Sequence, residues 1–472
     1  MSIAVLVIVA YMVLLPTISL ALSRGQHGDP SRAHHDLPAW AICLSIVATE
    51  TSTLTVVSVP GVAYGRSFVF TGLAIGYLIG RVIVALFFLP LFRDRDMASA
   101  YEYLGQRFGS VTQRLVSATF LVTRVLAESV RLFAGMLPVA ALCAASGLPG
   151  VTSPFGRLAL LIVIMALTLS YTMLGGLRAV IWSDSIQLVL YLTGAFAGIA
   201  ILLHRLPDGA LAETISHARL FSHGLPPLTD PFTFAAAILG GTVLTLASHG
   251  TDQLMIQRCL AARSLRGAQS AMIGSALLVA VLFTSLSLIG ALLSTQNHAA
   301  PLATPDHLFP DFILTLPPAL CGLLVAGILA ATMGSLSSAM NAMTGAVMGD
   351  FRPLLARFPW PETALSRGIT AFWGAALIVA TLAFSGGPQS TVLFAFSITS
   401  YCYGTVLGVF LLAMTSPRAT GRDALIAFAI SVLTVATLSR IELDGHGIAF
   451  SWLVPAGAVA GLAAGRLSSL RT

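Results

Sequence analysis

The sequence predicts an all-α integral membrane protein of about thirteen transmembrane helices. Three observations carry that. Hydrophobic residues make up 56% of the 472 and charged residues only 9%, far from the roughly 45–50% and 25% of soluble domains. The apolar residues come in runs of about 20, the length needed to cross a ~30 Å hydrocarbon core. Every one of the 25 basic side chains is arginine, and the arginines sit mostly between those runs. A soluble enzyme, a disordered tail and a nucleic-acid binder are excluded, because so few charges cannot cover a soluble surface. The formal charge of +6 follows from arginine flanking the apolar runs. The five cysteines lie apart with no C-x-x-C pair, so neither a disulfide framework nor a zinc site is indicated.

Taken in order, the spans fall near 3–22, 38–60, 68–92, 113–143, 157–175, 179–204, 232–250, 269–294, 314–348, 368–386, 390–414, 423–439 and 448–466. The first is long enough to span and lacks a basic n-region and a small-residue cleavage site, so it is not a cleavable signal peptide. None alternates polar and apolar residues as barrel strands do. The longest connection, 205–231, is too short to fold alone. With the N-terminus outside, 17 arginines fall in inner loops and 5 in outer loops. The positive-inside rule therefore places the N-terminus outside and the C-terminus in the cytoplasm, across an inner (plasma) membrane.

Subtracting the loop arginines leaves Arg81, Arg124 and Arg131 at membrane depth, with the acidic residues Glu50, Glu128 and Asp184. Each such charge costs a few kcal/mol and invites a functional reading with a partner. At 1.5 Å per residue, Glu50 lies about 18 Å in and Arg124 about 15 Å in, both near the midplane. Arg124, Glu128 and Arg131 share one helix face at i, i+4 and i+7. They form either an intrahelical ion ladder, or a site in which Arg124 offers a bidentate guanidinium to a solute carboxylate with Glu128 orienting it.

Two segments are rich in hydroxyls. ATETSTLTVVSVPGVAY, residues 48–64, crowds Thr49, Thr51, Ser52, Thr53 and Thr55 into two turns before Pro60 and Gly61. Such side chains can satisfy backbone groups where a membrane helix unwinds, and unwound carbonyls can hold a cation. Hydroxyl-rich helix packing is the alternative. AATMGSLSSAMNAM, residues 330–343, presents Ala331, Gly334, Ser335, Ser338 and Asn341 on one face with Ser337 at its edge. That stripe suits close helix approach or a hard, oxygen-seeking cation. Asp184, about one turn inside its span, is placed to pair with Arg178 or to supply a carboxylate to a cation.

YTMLGGLRAVIWSDSIQ (171–187), GTDQLMIQRCLAARSLRGAQ (250–269), SAYEYLGQRF (99–108) and the two hydroxyl-rich segments together resemble the sodium:solute symporter family over roughly residues 38–414. The wording of 48–64 is similar to the bacterial branch that includes sialic-acid symporters. The resemblance implies a LeuT-like fold of two inverted five-helix repeats, 38–204 and 232–414. Flanking parts would be 1–37, a helix and an inner loop, and 423–472, the C-terminal helices. It implies alternating access driven by a cation gradient, with Na+ as the coupling ion. The sodium site it implies uses Ala48, Thr51, Ala331, Gly334 and Ser335. A second sodium site would use Asp184, Ser337 and Ser338, and solute contacts would fall to Glu50, Ser52, Thr55 and Arg124.

Gly334 departs from the pattern, since a hydroxyl residue is usual there. Sodium then binds with Ser335 and water, or a proton on Asp184 or Glu50 is the coupling ion, or the chain is an uncoupled facilitator. Glu50 set against Arg124 suits a solute with both amino and carboxylate character; if the two neutralise each other, the pocket suits a neutral one. A membrane sensor on the same fold is the competing class. No enzyme motif appears, no obligate protein partner is evident, and His34–His35 reads as a solvated loop pair. The expected partners are a small polar or carboxylated solute and the lipid bilayer.

Overall fold

The computed structural model describes residues 2–23, 37–64, 67–93, 99–145, 150–151, 153–223, 226–297, 302, 304–384, 391–443 and 445–470. His34–His35 and the loop arginines Arg24, Arg32, Arg66, Arg95 and Arg471 lie outside them. Among the described residues, ten helices are long and apolar enough to cross a membrane. The other expected spans are the N-terminal helix Ser2–Ser23, the short apolar helix Ala236–Gly250, and the pair Ala39–Glu50 and Thr53–Ala63, bent by 62°. Among the described residues the strands are two short segments, Glu442–Leu443 and His446–Gly447, paired antiparallel.

The bend has a local cause in the backbone. In an unbroken helix the Ser52 N–H would bond the Ala48 carbonyl and the Thr55 N–H the Thr51 carbonyl. Instead Ser52 donates to Glu50 O at 2.9 Å and Thr55 to Ser52 O at 2.9 Å. The Ala48 and Thr51 carbonyls thereby lose their helical donors. Pro60 is not the break, for it sits inside the second segment. There Gly290 lets the neighbouring helix Leu265–Gln296 press against the Pro60 backbone; a Cβ at Gly290 would overlap the Pro60 carbonyl.

A second helix is interrupted in the same manner. Ala236–Gly250 ends at Thr251–Asp252, and the chain resumes as Gln253–Leu260 with Asp252 capping it, its carboxylate accepting from Leu254 N–H at 2.9 Å. All eight residues of Gln253–Leu260 are buried. This corrects the expectation that Arg258 belongs to an inner aqueous loop: its side chain is fully buried.

Pro318–Asp350, which carries the serine stripe, runs through the middle of the bundle. Of its apolar window 83% is buried, against 22% for the peripheral Glu362–Ala383. It is tied to the second half of the bent pair by Thr53 Oγ1 and Thr332 Oγ1, 2.7 Å apart. The two hydroxyl-rich stretches are thus neighbours.

Candidate solute cavity and cation site

The break at Thr51–Ser52 faces a cavity lined by Glu50, Ser52, Thr55 and Arg124, together with Tyr77, Arg131, Ser248, His249, Phe396, Thr399 and Tyr403. All four residues expected to touch solute reach this one space. They do not neutralise one another. The Glu50 carboxylate pairs with Arg81, whose side chain is fully buried and whose second nitrogen donates to Ser275 Oγ. Arg124 pairs with Asp252, donates to the Tyr403 hydroxyl at 2.9 Å, and lies 3.5 Å from Glu128 Oε1. Tyr403 in turn donates to Asp252 Oδ2 at 3.1 Å. Glu128 is closer to Arg131, at 2.6 Å, so the ladder exists, with its first rung turned toward Asp252.

His249 adds a polar atom to the wall. Its Nδ1 is 2.8 Å from Ser248 Oγ, while Nε2 is buried without a hydrogen-bond partner among the described residues and stands 3.7 Å from Glu50 Oε2. A ring proton on Nε2 would face the Glu50 carboxylate at the cavity wall. Buried polar atoms are usually paired, so an unpaired one on a cavity wall is suited to a ligand.

On the other side of the break lie the candidate cation ligands. Ala48 and Thr51 are buried with freed carbonyls, and Ala331 and Ser335 are buried on the central helix. Ser335 Oγ and Thr51 Oγ1 have no hydrogen-bond partner among the described residues. Freed carbonyls and unpaired hydroxyl oxygens are the hard donors that an alkali cation takes, so these residues fit sodium. At Gly334 the missing side chain is replaced in space by Gln187, against whose carboxamide oxygen a Cβ would collide.

The residues of the possible second sodium site are engaged with the protein itself. Asp184 Oδ2 accepts from Ser45 Oγ at 2.8 Å, from Thr49 Oγ1 at 3.3 Å and from Arg258 at 3.1 Å. Arg258 also donates to Ser338 Oγ, to Ser45 Oγ at 3.0 Å and to Leu254 O at 2.6 Å. Ser337 donates to Gly334 O in its own helix at 3.0 Å. A guanidinium therefore sits among the oxygens that would hold the second ion. Where Arg178 was one expected partner, Asp184 pairs with Arg258, 74 residues further along the chain.

Asp252, Arg258, Arg81, His249, Tyr403 and Gln187 were not among the expected site residues. Asp252, Arg258 and Gln187 do lie within the motifs GTDQLMIQR and WSDSIQ, which was the signal that existed.

The family model described as sodium:solute symporter family matches residues 32–430. The human sodium/iodide cotransporter is 27% identical over 397 residues, covering 81% of this chain and 60% of that protein. The chain thus spans 60% of the length of that relative. The sodium/sialic acid symporter NanT of Aliivibrio fischeri is 26% identical over 449 residues, covering 90% of this chain and 85% of NanT. In fold, the chain superimposes on a substrate-bound, outward-open Na+-coupled sialic acid symporter with a TM-score of 0.85 at 23% identity, covering 100% of this chain and 98% of that one. MhsT in complex with L-phenylalanine gives a TM-score of 0.55 at 15% identity. The LeuT-like architecture is shared with these neighbours.

Proposed function

The chain belongs to the sodium:solute symporter family, and from that premise we propose that it couples sodium entry to uptake of a small, zwitterionic or neutral polar solute. It is a multi-pass membrane transporter of a family of symporters, not of enzymes. The observation that carries the coupled reading is the break at Thr51–Ser52. One short unwound stretch frees the Ala48 and Thr51 carbonyls and also presents Glu50 and Ser52 to the cavity. An ion and a solute that share one flexible joint each favour the conformation that the other binds, and that mutual preference is what coupling requires.

Charge balance supports the solute class. The cavity's guanidiniums and carboxylates are already matched, Arg81 with Glu50, Arg124 with Asp252 and Arg131 with Glu128. An unaccompanied monoanion would have to pull Arg124 from Asp252, leaving a carboxylate unpaired at membrane depth. A solute carrying both signs, or none, meets no such cost. The two five-helix halves, 38–204 and 232–414, each open on an interrupted helix, which supports the inverted-repeat division. Arginine distribution supports a plasma-membrane orientation with the N-terminus outside.

Uptake into proteoliposomes under imposed sodium or proton gradients tests this reading. Neutral, zwitterionic and anionic candidate solutes are supplied in parallel. Sodium-driven accumulation of a neutral or zwitterionic solute is expected. Equal uptake with either gradient or with none would replace symport by facilitation, and uptake driven only by protons would move the coupling ion.

A further inference from the structure

Position 334 lacks the hydroxyl that the sodium site wants, yet its space is not empty. Gln187 stands three residues after Asp184 on the same helix. A Cβ built on Gly334 would overlap Gln187 Oε1, and would lie 3.1 Å from its carboxamide carbon and 3.0 Å from Asp184 Oδ1. The carboxamide oxygen therefore occupies the volume a serine or threonine hydroxyl would fill at that point.

The surroundings argue against simple packing. Gln187 is only 1% exposed, and its Nε2 has no hydrogen-bond partner among the described residues. Leaving a buried amide donor unpaired is destabilising, which a leucine or methionine of similar size would avoid. Something must offset that cost, and the amide oxygen is the group placed to do it. Ser335 Oγ, on the residue next to Gly334, and Thr51 Oγ1 on the bent pair are also buried without partners among the described residues.

We propose that Gln187 Oε1 replaces the absent hydroxyl as a sodium ligand, acting with Ala48, Thr51, Ala331 and Ser335. Amide oxygens serve hard cations as readily as hydroxyls do. Being neutral, Gln187 adds no charge to a site beside Asp184, whose carboxylate is already matched by Arg258. Gly334 and Gln187 are then one exchange: the small residue admits the long one, which returns the lost oxygen from the neighbouring helix. The inference rests on the sodium coupling proposed above.

Sodium binding is measured on the purified full chain in lipid nanodiscs, by radioactive sodium binding and by thermal stabilisation in sodium over choline. Gln187→Met, which fills the space without a hard oxygen, should weaken sodium binding by about tenfold or more. Gln187→Glu, which keeps an oxygen but exchanges the unpaired nitrogen for a second oxygen and a negative charge, should retain binding to within a few-fold or better. The double variant Gln187→Ala with Gly334→Ser should recover binding by restoring the hydroxyl in vacated space. Unaltered sodium affinity in Gln187→Met overturns the inference while leaving the coupling intact. If Gln187→Met does not assemble, unaltered sodium affinity in a well-folded Gln187→Ala overturns it equally. A wild-type chain indifferent to sodium overturns the coupling itself.

Discussion

Arg124 and Asp252 form a buried ion pair across 128 residues of sequence, with the Tyr403 hydroxyl bonded to both. The pair fixes a charged corner of the solute cavity and closes the gap between the arginine-bearing helix Ser110–Ala145 and the second interrupted helix.

Removing one partner of such a pair strands the other charge. Asp252→Asn should lower stability by about 3 kcal/mol and free Arg124 for anions, so that carboxylates become better competitors for uptake. Thermal unfolding and competition assays read the two effects. Unchanged stability together with unchanged selectivity would mean that the pair shapes neither.

Glu50 and Arg81 allow a cleaner measurement. Arg81 is fully buried and Glu50 is 14% exposed, toward the cavity. Glu50→Gln alone should be strongly destabilising, whereas adding Arg81→Met should recover part of the loss. A double-mutant cycle by thermal unfolding should give a coupling of about 1.5 kcal/mol or more; strict additivity would contradict the pairing.

Gly334→Ser alone has the opposite outcome to the one its family pattern suggests. With Gln187 in place, the added side chain has nowhere to go. Overpacking of about 1–3 kcal/mol is expected, seen as a lower unfolding temperature in sodium-free buffer. A more stable variant would show that Gln187 yields freely.

Gly290→Ala should cost a similar amount, about 1–3 kcal/mol, because its methyl group meets the Pro60 backbone, which belongs to the bent pair and has little room to move. Gly345→Ala is the built-in control, since a Cβ there meets nothing within 4 Å. Equal unfolding temperatures for the two variants would be inconsistent with the packing described.

Arg258 holds the oxygens of the possible second sodium site. Arg258→Gln withdraws the guanidinium from Asp184 and Ser338, and the sodium dependence of transport should steepen as a further ion enters. A sodium curve of unchanged shape, in a variant that still transports, would mean those oxygens do not take an ion.

Much of this was legible in the sequence. Apolar run length located the helices, and the threonine cluster at 49–55 marked the joint. Depth counting brought Glu50 and Arg124 to one level, where the structure has both lining one cavity. Partners were not legible. Periodicity assigns a residue to a face, but the pairs Arg81–Glu50 and Arg258–Asp184 are made between elements 31 and 74 residues apart, and only packing decides which faces meet. Gln253–Leu260 was misread for a related reason. Hydropathy scores a short polar stretch as a loop, and cannot tell one facing water from one whose polar groups are satisfied inside the protein. Gln187 escaped notice because its role depends on what is absent at Gly334.

The matched charges have an electrical consequence. Around the two sites, four arginines each face a carboxylate, so those eight groups contribute no net charge when the carrier returns empty. A membrane voltage, worth about 2.3 kcal/mol per charge per 100 mV, then finds little to act on in the return stroke, and drives the loaded stroke through the bound sodium.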